Sequence, residues 1–339
     1  MSITRDKEEI FESIKQFMEQ AELLTDGIDL RKVVPAQLSK PIKKKKNKTD
    51  SDWKLAVLLP DAQIGFRKFD NGELDPFHDK NAIEVALKIT AALEEEYGVD
   101  DIINLGDTLD LPQFGKYMQE ESMQNSVNES LQAGHTFFAG QRAVAPHARI
   151  VYLEGNHDCR MERYLRDKAP AARNVRRVND AEFPAISMPH LLAFDELRVE
   201  YAGGYPAGHI YLNENLIAIH GTKAQSNGST AYKYINANPH VTTLFGHSHR
   251  FELAYKTHST MNGPKQNGGF SPGCLCRIDG AVPSYKGGIN MDEKPVQQWE
   301  NWQQGMGLVW YKTTGEFSIE PIHIMDGWAI YSGQEFRAK

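Results

Sequence analysis

The sequence predicts an α/β fold that contains parallel βαβ units. From about residue 53 to about residue 154, short apolar segments rich in β-branched side chains alternate with longer segments of helical periodicity. This alternation is typical of strands joined by crossover helices. Each apolar segment also stops at a turn that carries carboxylate, amide or imidazole side chains. Because ligands of open α/β sheets bind outside the carboxyl ends of the strands, we expect the functional site at that edge.

The stretch at residues 150–160 shows this arrangement most clearly, and it reads Ile-Val-Tyr-Leu-Glu-Gly-Asn-His-Asp-Cys-Arg. Its first four residues are apolar and suit a buried strand. The apolar run breaks at Gly155, and Asn156, His157 and Asp158 follow at once. Side chains of these types bind metals or transfer protons. We therefore predict that the end of this strand belongs to the functional site.

The composition excludes several classes of protein. With 40% hydrophobic and 24% charged residues the chain is typical of soluble globular proteins. A formal net charge of −7 argues against a general nucleic-acid-binding protein, so attraction to phosphate must be local. The cysteines Cys159, Cys274 and Cys276 do not suggest a disulfide framework and fit a reducing compartment. No apolar run approaches the ~20 residues of a membrane span, and the first residues lack the apolar core of a signal peptide. We expect a cytoplasmic protein without a membrane partner.

Two regions are predicted: residues 1–50, and a globular domain over residues 51–339. Residues 1–26 have helical periodicity, and this helix packs on its own domain or contacts another subunit. The sequence does not specify an oligomeric state. A lysine-rich linker follows and ends in the run at residues 40–48, whose lysines are Lys40, Lys43, Lys44, Lys45, Lys46 and Lys48. The run is either a solvated linker or a contact for the phosphate backbone of DNA or RNA, because clustered lysines release counterions from nucleic acid.

Strands and helices of the globular domain are predicted from periodicity. Strands are expected at residues 53–59, 101–105, 150–154, 197–201, 209–212, 216–219 and 241–245, and helices at 80–97, mainly within 120–146, at 161–168 and at 230–236. Asp79 is a plausible N-cap, and Gly98 should end the first of these helices. Glycine-rich turns are expected beyond about residue 260, before two late strands at residues 307–311 and 317–322.

Hard oxygen or imidazole donors follow five of the predicted strands. They are Asp61, Gln63, Asp107, Asn156, His157, His220, His247 and His249. Such ligands favour Mn, Fe, Ni or Zn over a structural thiolate zinc site. Asp107 could bridge two cations about 3.5–4 Å apart, which together generate hydroxide and stabilise the oxygens of an in-line phosphoryl displacement. Alternate residues of a strand point to opposite faces, so His247 and His249 reach one site only on a turn, which Gly246 permits.

The motifs Asp-x-Gln, Gly-Asp-x-x-Asp, Gly-Asn-His-Asp, His-Gly and Gly-His-Ser-His occur in this order between Asp61 and His249. Together they resemble the five signatures of the calcineurin-like metallophosphoesterases. The resemblance implies a four-layer α/β/β/α sandwich, in which helices flank two packed β-sheets and a two-metal centre lies at the carboxyl ends of the strands.

The resemblance also implies a role for each matching residue. Asp61 and His249 would hold the first metal, with Gln63 at a position where the family has histidine. Asp107 would bridge the two metals, and the second would be held by Asn156, His220 and His247. His157 would protonate the leaving oxygen or stabilise the phosphoryl charge, oriented by a carboxylate of Asp110 or Asp158.

Departures from the family pattern refine these expectations. An amide at Gln63 is a poorer ligand than imidazole for borderline metals, which favours Mn, with Fe, Zn, Ni or Mg as alternatives. The protein Ser/Thr phosphatase branch has Asp-Arg-Gly after the second motif, where this chain has Asp110-Leu111-Pro112. Its third motif is Gly-Asn-His-Glu, whereas the third motif here ends in Asp158. Both differences argue against that branch. Residues 77–79, 110–114 and 155–164 are more similar to phage- and prophage-type phosphoesterases, which are often suspected of acting on nucleic acid.

Several neighbouring side chains have two interpretations. Arg160, Arg163 and Arg166 share a helix face and are either solvated or bind phosphate, with Arg160 the best candidate because it is nearest the metal ligands. His78 could line the cleft, and Cys159 is expected to be a packed thiol. The motif Cys274-Leu275-Cys276 is too isolated in the sequence to predict a metal site. Polar side chains that could touch substrate follow His220, namely Lys223, Ser226 and Ser229.

The leading hypothesis is a dinuclear metal-dependent phosphoester hydrolase, specifically a phosphodiesterase or nuclease that acts on nucleic acid or nucleotides. A phosphomonoesterase is the alternative within the same class. A hypothesis from a different class is a catalytically degenerate module that binds DNA or a protein through the lysine run. It is supported by Gln63, which replaces a histidine ligand of the family.

Overall fold

The structure of the protein is a computed structural model that describes residues 52–116, 120–176, 178, 182–225, 227–283 and 299–339. The helix expected within residues 1–26, the lysine run at residues 40–48 and Ser226 lie outside these residues.

The described strands are, in chain order, β1 (Lys54–Leu59), β2 (Phe66–Lys68), β3 (Leu74–Pro76), β4 (Asp101–Asn104), β5 (Arg149–Tyr152), β6 (Val199–Tyr201), β7 (His209–Asn213), β8 (Leu216–Ile219), β9 (Thr242–Phe245), β10 (Phe251–Thr260), β11 (Gly263–Pro272), β12 (Gln304–Tyr311), β13 (Phe317–Ile324), β14 (Trp328–Tyr331) and β15 (Gln334–Arg337). The described α-helices are α1 (Lys80–Glu96), α2 (Val127–Val144), α3 (Arg160–Lys168), α4 (Met188–Leu191), α5 (Phe194–Leu197) and α6 (Thr230–Ala237), with short 3₁₀ turns at Pro112–Phe114 and Glu121–Met123.

Most of these strands form two sheets. Over the described residues the first sheet has the order β13-β12-β1-β4-β5-β6 and the second has the order β10-β11-β9-β8-β7. Strands β1, β4, β5 and β6 are parallel, as are β8 and β9. Parallel strands end at the same edge, so the loops after β1, β4 and β5 emerge together, and so do those after β8 and β9.

The two sheets pack face to face because their strands alternate in side-chain direction. Leu58, Ile103 and Val151 of the first sheet belong to the same buried cluster as Leu244 and Phe270 of the second. On the other face of the first sheet, residues such as Val57, Ile102 and Ile150 pack with α1 and α2. Ala231 and Tyr234 of α6 pack against Phe245 of the second sheet. The predicted four-layer α/β/β/α sandwich is therefore confirmed.

Both predicted signals at the ends of α1 are confirmed. The Asp79 carboxylate accepts hydrogen bonds from the backbone N–H groups of Asn81 and Ala82, which have no partner inside the helix. Gly98 follows the helix with φ +77°, and its N–H donates to the carbonyls of Leu93 and Glu94. This left-handed conformation after a helix favours glycine.

The prediction of turns beyond residue 260 was wrong. β10 and β11 form a long antiparallel hairpin there, with paired residues from Phe251–Pro272 to Thr260–Gly263. Much of β10 is exposed and polar, so it lacks the apolar run by which the other strands were recognised. The helix expected mainly within residues 120–146 begins only at Val127, after the 3₁₀ turn. None of the helices in the described part of the chain combines the length and apolar character that a membrane span requires.

Truncating Phe270 should test the contact between the two sheets. Its ring is fully buried, so we expect Phe270→Ala to lower the free energy of unfolding by about 3–5 kcal/mol, through lost apolar contact and the cavity left behind. Denaturant unfolding followed by circular dichroism measures this change. Leu253→Ala in the same hairpin is the control, because Leu253 is 40% exposed and should cost no more than about 0.5 kcal/mol. Equal losses in the two variants would contradict the assigned sheet packing.

Candidate metal centre

Side chains from five loops meet at the carboxyl ends of β1, β4, β5, β8 and β9. Ligand atoms of Asp107, His220 and His247 all lie within 4.8 Å of one another. Ligand atoms of Asp61, Asp107 and His249 do so as well. Asp107 belongs to both groups, so its carboxylate lies between two adjacent clusters of buried donors.

The backbone of these loops directs the side chains into the centre. Positive φ angles are found at Asp61 (31°), Gln63 (50°), Asp107 (48°), His247 (66°) and His249 (54°). Non-glycine residues rarely adopt this conformation, and its clustering is typical of functional sites. His247 and His249 lie on a turn rather than in an extended strand, which is the arrangement that lets both reach one site.

Two glycines leave room for the carboxylates. A Cβ atom at Gly155 would lie 2.1 Å from Oδ1 of Asp107. One at Gly246 would lie 2.5 Å from Oδ2 of Asp61. Both distances are far below van der Waals contact, so each loop needs glycine where it passes a buried carboxylate.

The first cluster contains Asp61, Gln63 and His249. Nε2 of His249 lies 3.3 Å from Oδ1 of Asp61 and 3.3 Å from Nε2 of Gln63. The Gln63 amide nitrogen lies 3.5 Å from Oδ2 of Asp107. Oε1 of Gln63 is buried without a hydrogen-bond partner. The amide nitrogen of Gln63 faces His249 and Asp107, and a half-turn of the amide would bring Oε1 to these donors, where a cation would supply the partner that a buried amide oxygen normally has.

The second cluster is centred on His220. Nε2 of His220 lies 3.4 Å from Oδ2 of Asp107 and 3.1 Å from Oδ1 of Asn156. Its Nδ1 lies 2.8 Å from the carbonyl oxygen of Leu105, which can only accept a hydrogen bond, so Nδ1 carries the proton. The His247 ring is edge-on to the His220 ring, with centroids 5.2 Å apart. The Leu105 carbonyl thus holds His220 with Nε2 toward the other donors. Metal-binding histidines are commonly oriented in this way, by a hydrogen bond from the ring nitrogen that does not bind the metal.

The electrostatics of both clusters fit divalent cations. Burial lowers the pKa of His220, but the charge and hydrogen bond of Asp107 outweigh this and raise the pKa to about 9. Burial likewise lowers the pKa of His249, while Asp61 raises it to about 9. Burial and the neighbouring His220 lower the pKa of His247 to about 4. Protons on His220 and His249 therefore balance the buried carboxylates, and cations can replace those protons. The oxygen and imidazole donors suit two such ions.

His157 lies beside these clusters and is held by Asp110. The Nδ1–H of His157 donates to the Asp110 carboxylate. Burial raises the pKa of Asp110, but His157 and then Arg160 lower it overall, so the carboxylate stays ionised. Arg160 donates to Oδ1 of Asp110 at 3.1 Å, and its other terminal nitrogen lies 3.2 Å from Nε2 of His157. The His157 side chain is 18% exposed, so its outer edge can be reached from solvent.

Asp158, the other candidate partner of His157, has a different environment. It is buried, and its carboxylate accepts the backbone N–H groups of Leu109 and Gly155, both at 2.8 Å. These bonds tie the loop after β4 to the loop after β5. This corrects the alternative in which Asp158 orients His157: the geometry gives that position to Asp110.

The basic residues of α3 separate in the structure. The Arg163 guanidinium lies over the ring of Tyr205 at 5.3 Å, and that ring is edge-on to His220 at 5.7 Å. Arg166 instead pairs with Glu162 at 2.9 Å. The sequence analysis did not select Tyr205. Its only local signal is the Gly203-Gly204 pair before it, which indicates a turn but not its destination.

Other predicted candidates lie elsewhere or have other partners. His78 is buried, packs edge-on against Phe66, and borders a cavity of about 470 Å³ that Asp75 and Arg277 also line. Lys223 lies over the Tyr234 ring at 4.8 Å, and Ser229 donates to Asn227 at 2.6 Å. Cys159 is a buried thiol, as expected.

Cys274 and Cys276 are not isolated in space, contrary to the sequence analysis. Their sulfur atoms and a ring nitrogen of His249 lie within 4.8 Å of one another. The strand pairing that places them there joins Cys274 to Gln304 and Cys276 to His78, which are distant in the sequence.

Comparisons with known proteins found a likeness among solved structures. No protein-family model matches the chain, and no curated protein does. Among solved structures the chain is similar to an NAD nucleotidase from Haemophilus influenzae, at 12% identity and a TM-score of 0.30. The match covers 85% of this chain and 54% of the other, so the chain spans about half the length of that structure. We draw no functional conclusion from a likeness at this TM-score.

Metal affinity should rise steeply with pH. Below about pH 9, His220 and His249 hold protons in the metal-free centre, and a cation needs their neutral forms. If both protons are released, the association constant rises by up to about 100-fold per pH unit between about pH 6 and about pH 9. Calorimetric titration with Mn²⁺ in buffers of different ionisation enthalpy counts the released protons. An affinity that does not change with pH would contradict the assigned protonation.

Proposed function

We propose that this protein is a dinuclear metal-dependent phosphoester hydrolase. The observation that carries the proposal is that two clusters of buried oxygen and imidazole donors share Asp107 and lie beside the reachable His157–Asp110 pair. Two adjacent cations with a proton donor next to them are what an in-line phosphoryl displacement requires.

The candidate ligands divide between two positions. Asp61, Gln63 and His249 would hold the first cation, and Asn156, His220 and His247 the second. The Asp107 carboxylate would be shared by the two positions. When bound, the two cations supply Lewis acidity and an activated water molecule. Mn²⁺ is the ion we expect, because an amide oxygen at Gln63 suits a harder cation; Fe, Zn, Ni and Mg are the alternatives.

His157 would handle the proton of the leaving oxygen. Its Nδ1–H donates to the ionised Asp110, so the carboxylate stabilises the imidazolium and fixes the ring. Nε2 then remains as the group that faces substrate, where Arg160 also lies. In the structure an N–H of Arg160 donates to Nε2. When Arg160 turns to a phosphoryl oxygen and Nε2 is protonated, Nε2–H would protonate the departing oxygen.

The degenerate binding module has little support beside this geometry. Its basis was the replacement of a histidine by Gln63. Gln63 nevertheless lies within the first cluster, 3.3 Å from Nε2 of His249, and its amide oxygen lacks a partner. The side chain can therefore contribute a ligand once the amide turns so that Oε1, rather than the nitrogen, faces the centre.

Variants at the centre test the proposal. We expect Asp107→Asn and His157→Ala to lower Mn²⁺-stimulated hydrolysis of bis-p-nitrophenyl phosphate by about 10²–10⁴-fold, since one removes a shared ligand and the other a proton donor. Steady-state kinetics measures both losses.

His240→Ala is the matched control. His240 is exposed and lies before β9, at the end of the strand opposite the centre, so this variant should retain wild-type rates. Normal activity in Asp107→Asn would refute the bridging role of that carboxylate.

We propose phosphodiesters, and nucleic acid in particular, as the substrate class. Tyr205 packs edge-on against His220, and Arg163 lies over the Tyr205 ring. From there the two side chains would contact the ester group that remains on the substrate. The Arg163 guanidinium would bind the phosphate of a neighbouring nucleotide, and the Tyr205 ring would stack on its base. The lysine run at residues 40–48 would add contacts with the phosphate backbone.

A substrate panel separates the alternatives. We expect faster hydrolysis of bis-p-nitrophenyl phosphate and single-stranded DNA than of p-nitrophenyl phosphate, because a monoester offers no second ester group. Replacing Lys43, Lys44, Lys45 and Lys46 by alanine should weaken DNA binding and flatten its salt dependence, while rates on the small diester stay unchanged. A strong preference for the monoester would identify a phosphomonoesterase instead.

A further inference from the structure

Two thiols and an imidazole meet behind the candidate metal centre. Sγ of Cys274, Sγ of Cys276 and a ring nitrogen of His249 lie within 4.8 Å of one another. Nδ1 of His249, whose Nε2 faces Asp61, lies 3.7 Å from Sγ of Cys276. Both cysteines are fully buried, and His249 is 5% exposed. These side chains gather two sulfur atoms and a nitrogen, a different donor set from the oxygen and imidazole groups of the two clusters.

The backbone that carries the two thiols is held at three successive residues. The N–H of Cys274 donates to the carbonyl of Gln303 at 3.0 Å, and the N–H of Leu275 donates to the carbonyl of Asp61 at 3.1 Å. Cys276 is joined to a neighbouring segment by a β-bridge. The sulfur atoms are therefore arranged before any cation arrives, which lowers the entropic cost of binding one.

This donor set selects the kind of cation. Soft thiolate ligands favour ions such as Zn²⁺ or Cu⁺ over Mn²⁺ or Mg²⁺. Net charge then separates the two soft ions. Two thiolates carry two negative charges, which a divalent cation neutralises in full, whereas a monovalent cation leaves one charge uncompensated in a buried site. A thiophilic divalent cation is the occupant that fits.

We propose that Cys274, Cys276 and Nδ1 of His249 form a separate site for one thiophilic divalent cation of the Zn²⁺ class. On binding, the cation displaces one proton from each thiol and any proton on Nδ1. The sulfur atoms become thiolates, and the ring keeps its proton on Nε2, which lies 3.3 Å from Oδ1 of Asp61 and donates to it. The step involves no oxidant or reductant.

Occupancy of this site would act on the proposed function through His249. A neutral imidazole has one nitrogen that carries a proton and one that can bind a metal. When Nδ1 binds the thiophilic cation, Nε2 carries the proton and has no lone pair for the first metal position. A thiophilic cation would therefore lower Mn²⁺ occupancy there and inhibit hydrolysis. This consequence rests on the proposed function, whereas binding of the cation to the thiols does not.

Cys159 is the matched control for the two ligand cysteines. Its side chain is also buried, at 2% exposure, and its Sγ donates to the carbonyl oxygen of Asn156 at 3.3 Å. Among the described residues it belongs to no cluster of three candidate metal ligands. Cys159→Ser therefore controls for the loss of a buried thiol that binds no cation.

Titration of the metal-free full-length chain with Cd²⁺ under reducing conditions tests the site. Cd²⁺ is the probe because its bonds to thiolate give an ultraviolet charge-transfer absorption that oxygen and imidazole ligands do not give. We expect this absorption to saturate with one bound cation. Cadmium NMR spectroscopy should show a single resonance in the range of sulfur ligation.

Serine variants assign the ligands. Cys274→Ser and Cys276→Ser should each weaken Cd²⁺ binding at this site by at least about 100-fold, because loss of a direct ligand costs more than loss of an outer contact. Cys159→Ser should keep the wild-type affinity. Circular dichroism checks that each variant is folded. If a serine variant does not fold, the stoichiometry and the cadmium shift of the wild type still decide.

Kinetics tests the consequence for the first metal position. Cd²⁺ that fills the thiol site should lower Mn²⁺-stimulated hydrolysis of bis-p-nitrophenyl phosphate by at least about tenfold, and excess Mn²⁺ should restore the rate. Cys274→Ser should resist this inhibition relative to its own rate in Mn²⁺ alone. Equal inhibition of the wild type and Cys274→Ser would show that Cd²⁺ replaces Mn²⁺ directly, and it would overturn the competition for His249.

Three results would overturn the site itself. They are a wild-type protein without thiolate absorption, absorption that persists in Cys276→Ser, and loss of two free thiols before metal is added, which would show a disulfide instead. Thiolate absorption in a chain that hydrolyses no phosphoester would support the site and contradict the proposed function. Hydrolysis without the absorption would leave the proposed function intact and remove only this inference.

Discussion

The buried carboxylate of Asp107 is the constraint on which the rest of the centre depends. Its Oδ1 accepts the backbone N–H of His157 at 2.7 Å, and its Oδ2 faces His220 at 3.4 Å. Its backbone carbonyl accepts the N–H of Gln63 at 2.9 Å. One residue thus joins the loops after β1, β4 and β5 to the second sheet. Gly155 can pass it only because glycine has no Cβ atom. A buried charge is costly to leave unpaired, so Asp107 and the loops that surround it form one interdependent unit.

The packing of the two sheets brings the halves of this unit together. The first sheet delivers Asp61, Asp107 and Asn156, and the second delivers His220, His247 and His249. Within the second sheet, the N–H of Gly246 donates to the carbonyl of His220 at 3.0 Å, which sets the two histidine loops side by side. The apolar layer between the sheets therefore acts on function as well as stability, because any shift of one sheet against the other would separate ligands of the same position.

The resulting centre is asymmetric in its outer contacts. His220 is backed by a backbone carbonyl, whereas His249 is backed by the sulfur of Cys276. Asp110 accepts hydrogen bonds from both His157 and Arg160. One carboxylate thus orients the imidazole of His157 and the guanidinium of Arg160. These outer contacts do not change which atoms face the centre.

The sequence by itself determined the strands, the parallel units, the cap of α1 and the types of donor at the strand ends, because these follow from local periodicity and turn chemistry. It missed the β10–β11 hairpin, in which β10 is largely exposed and polar, and the short pairs β2–β3 and β14–β15. Only the tertiary structure decided that Asp110 rather than Asp158 contacts His157, that Cys276 lies behind His249, and that Tyr205 reaches His220. Those pairs are far apart in the chain or equivalent in local pattern. Their contacts are set by how loops from different strands pack at one edge of the sheets. Local sequence does not encode which loops come together there.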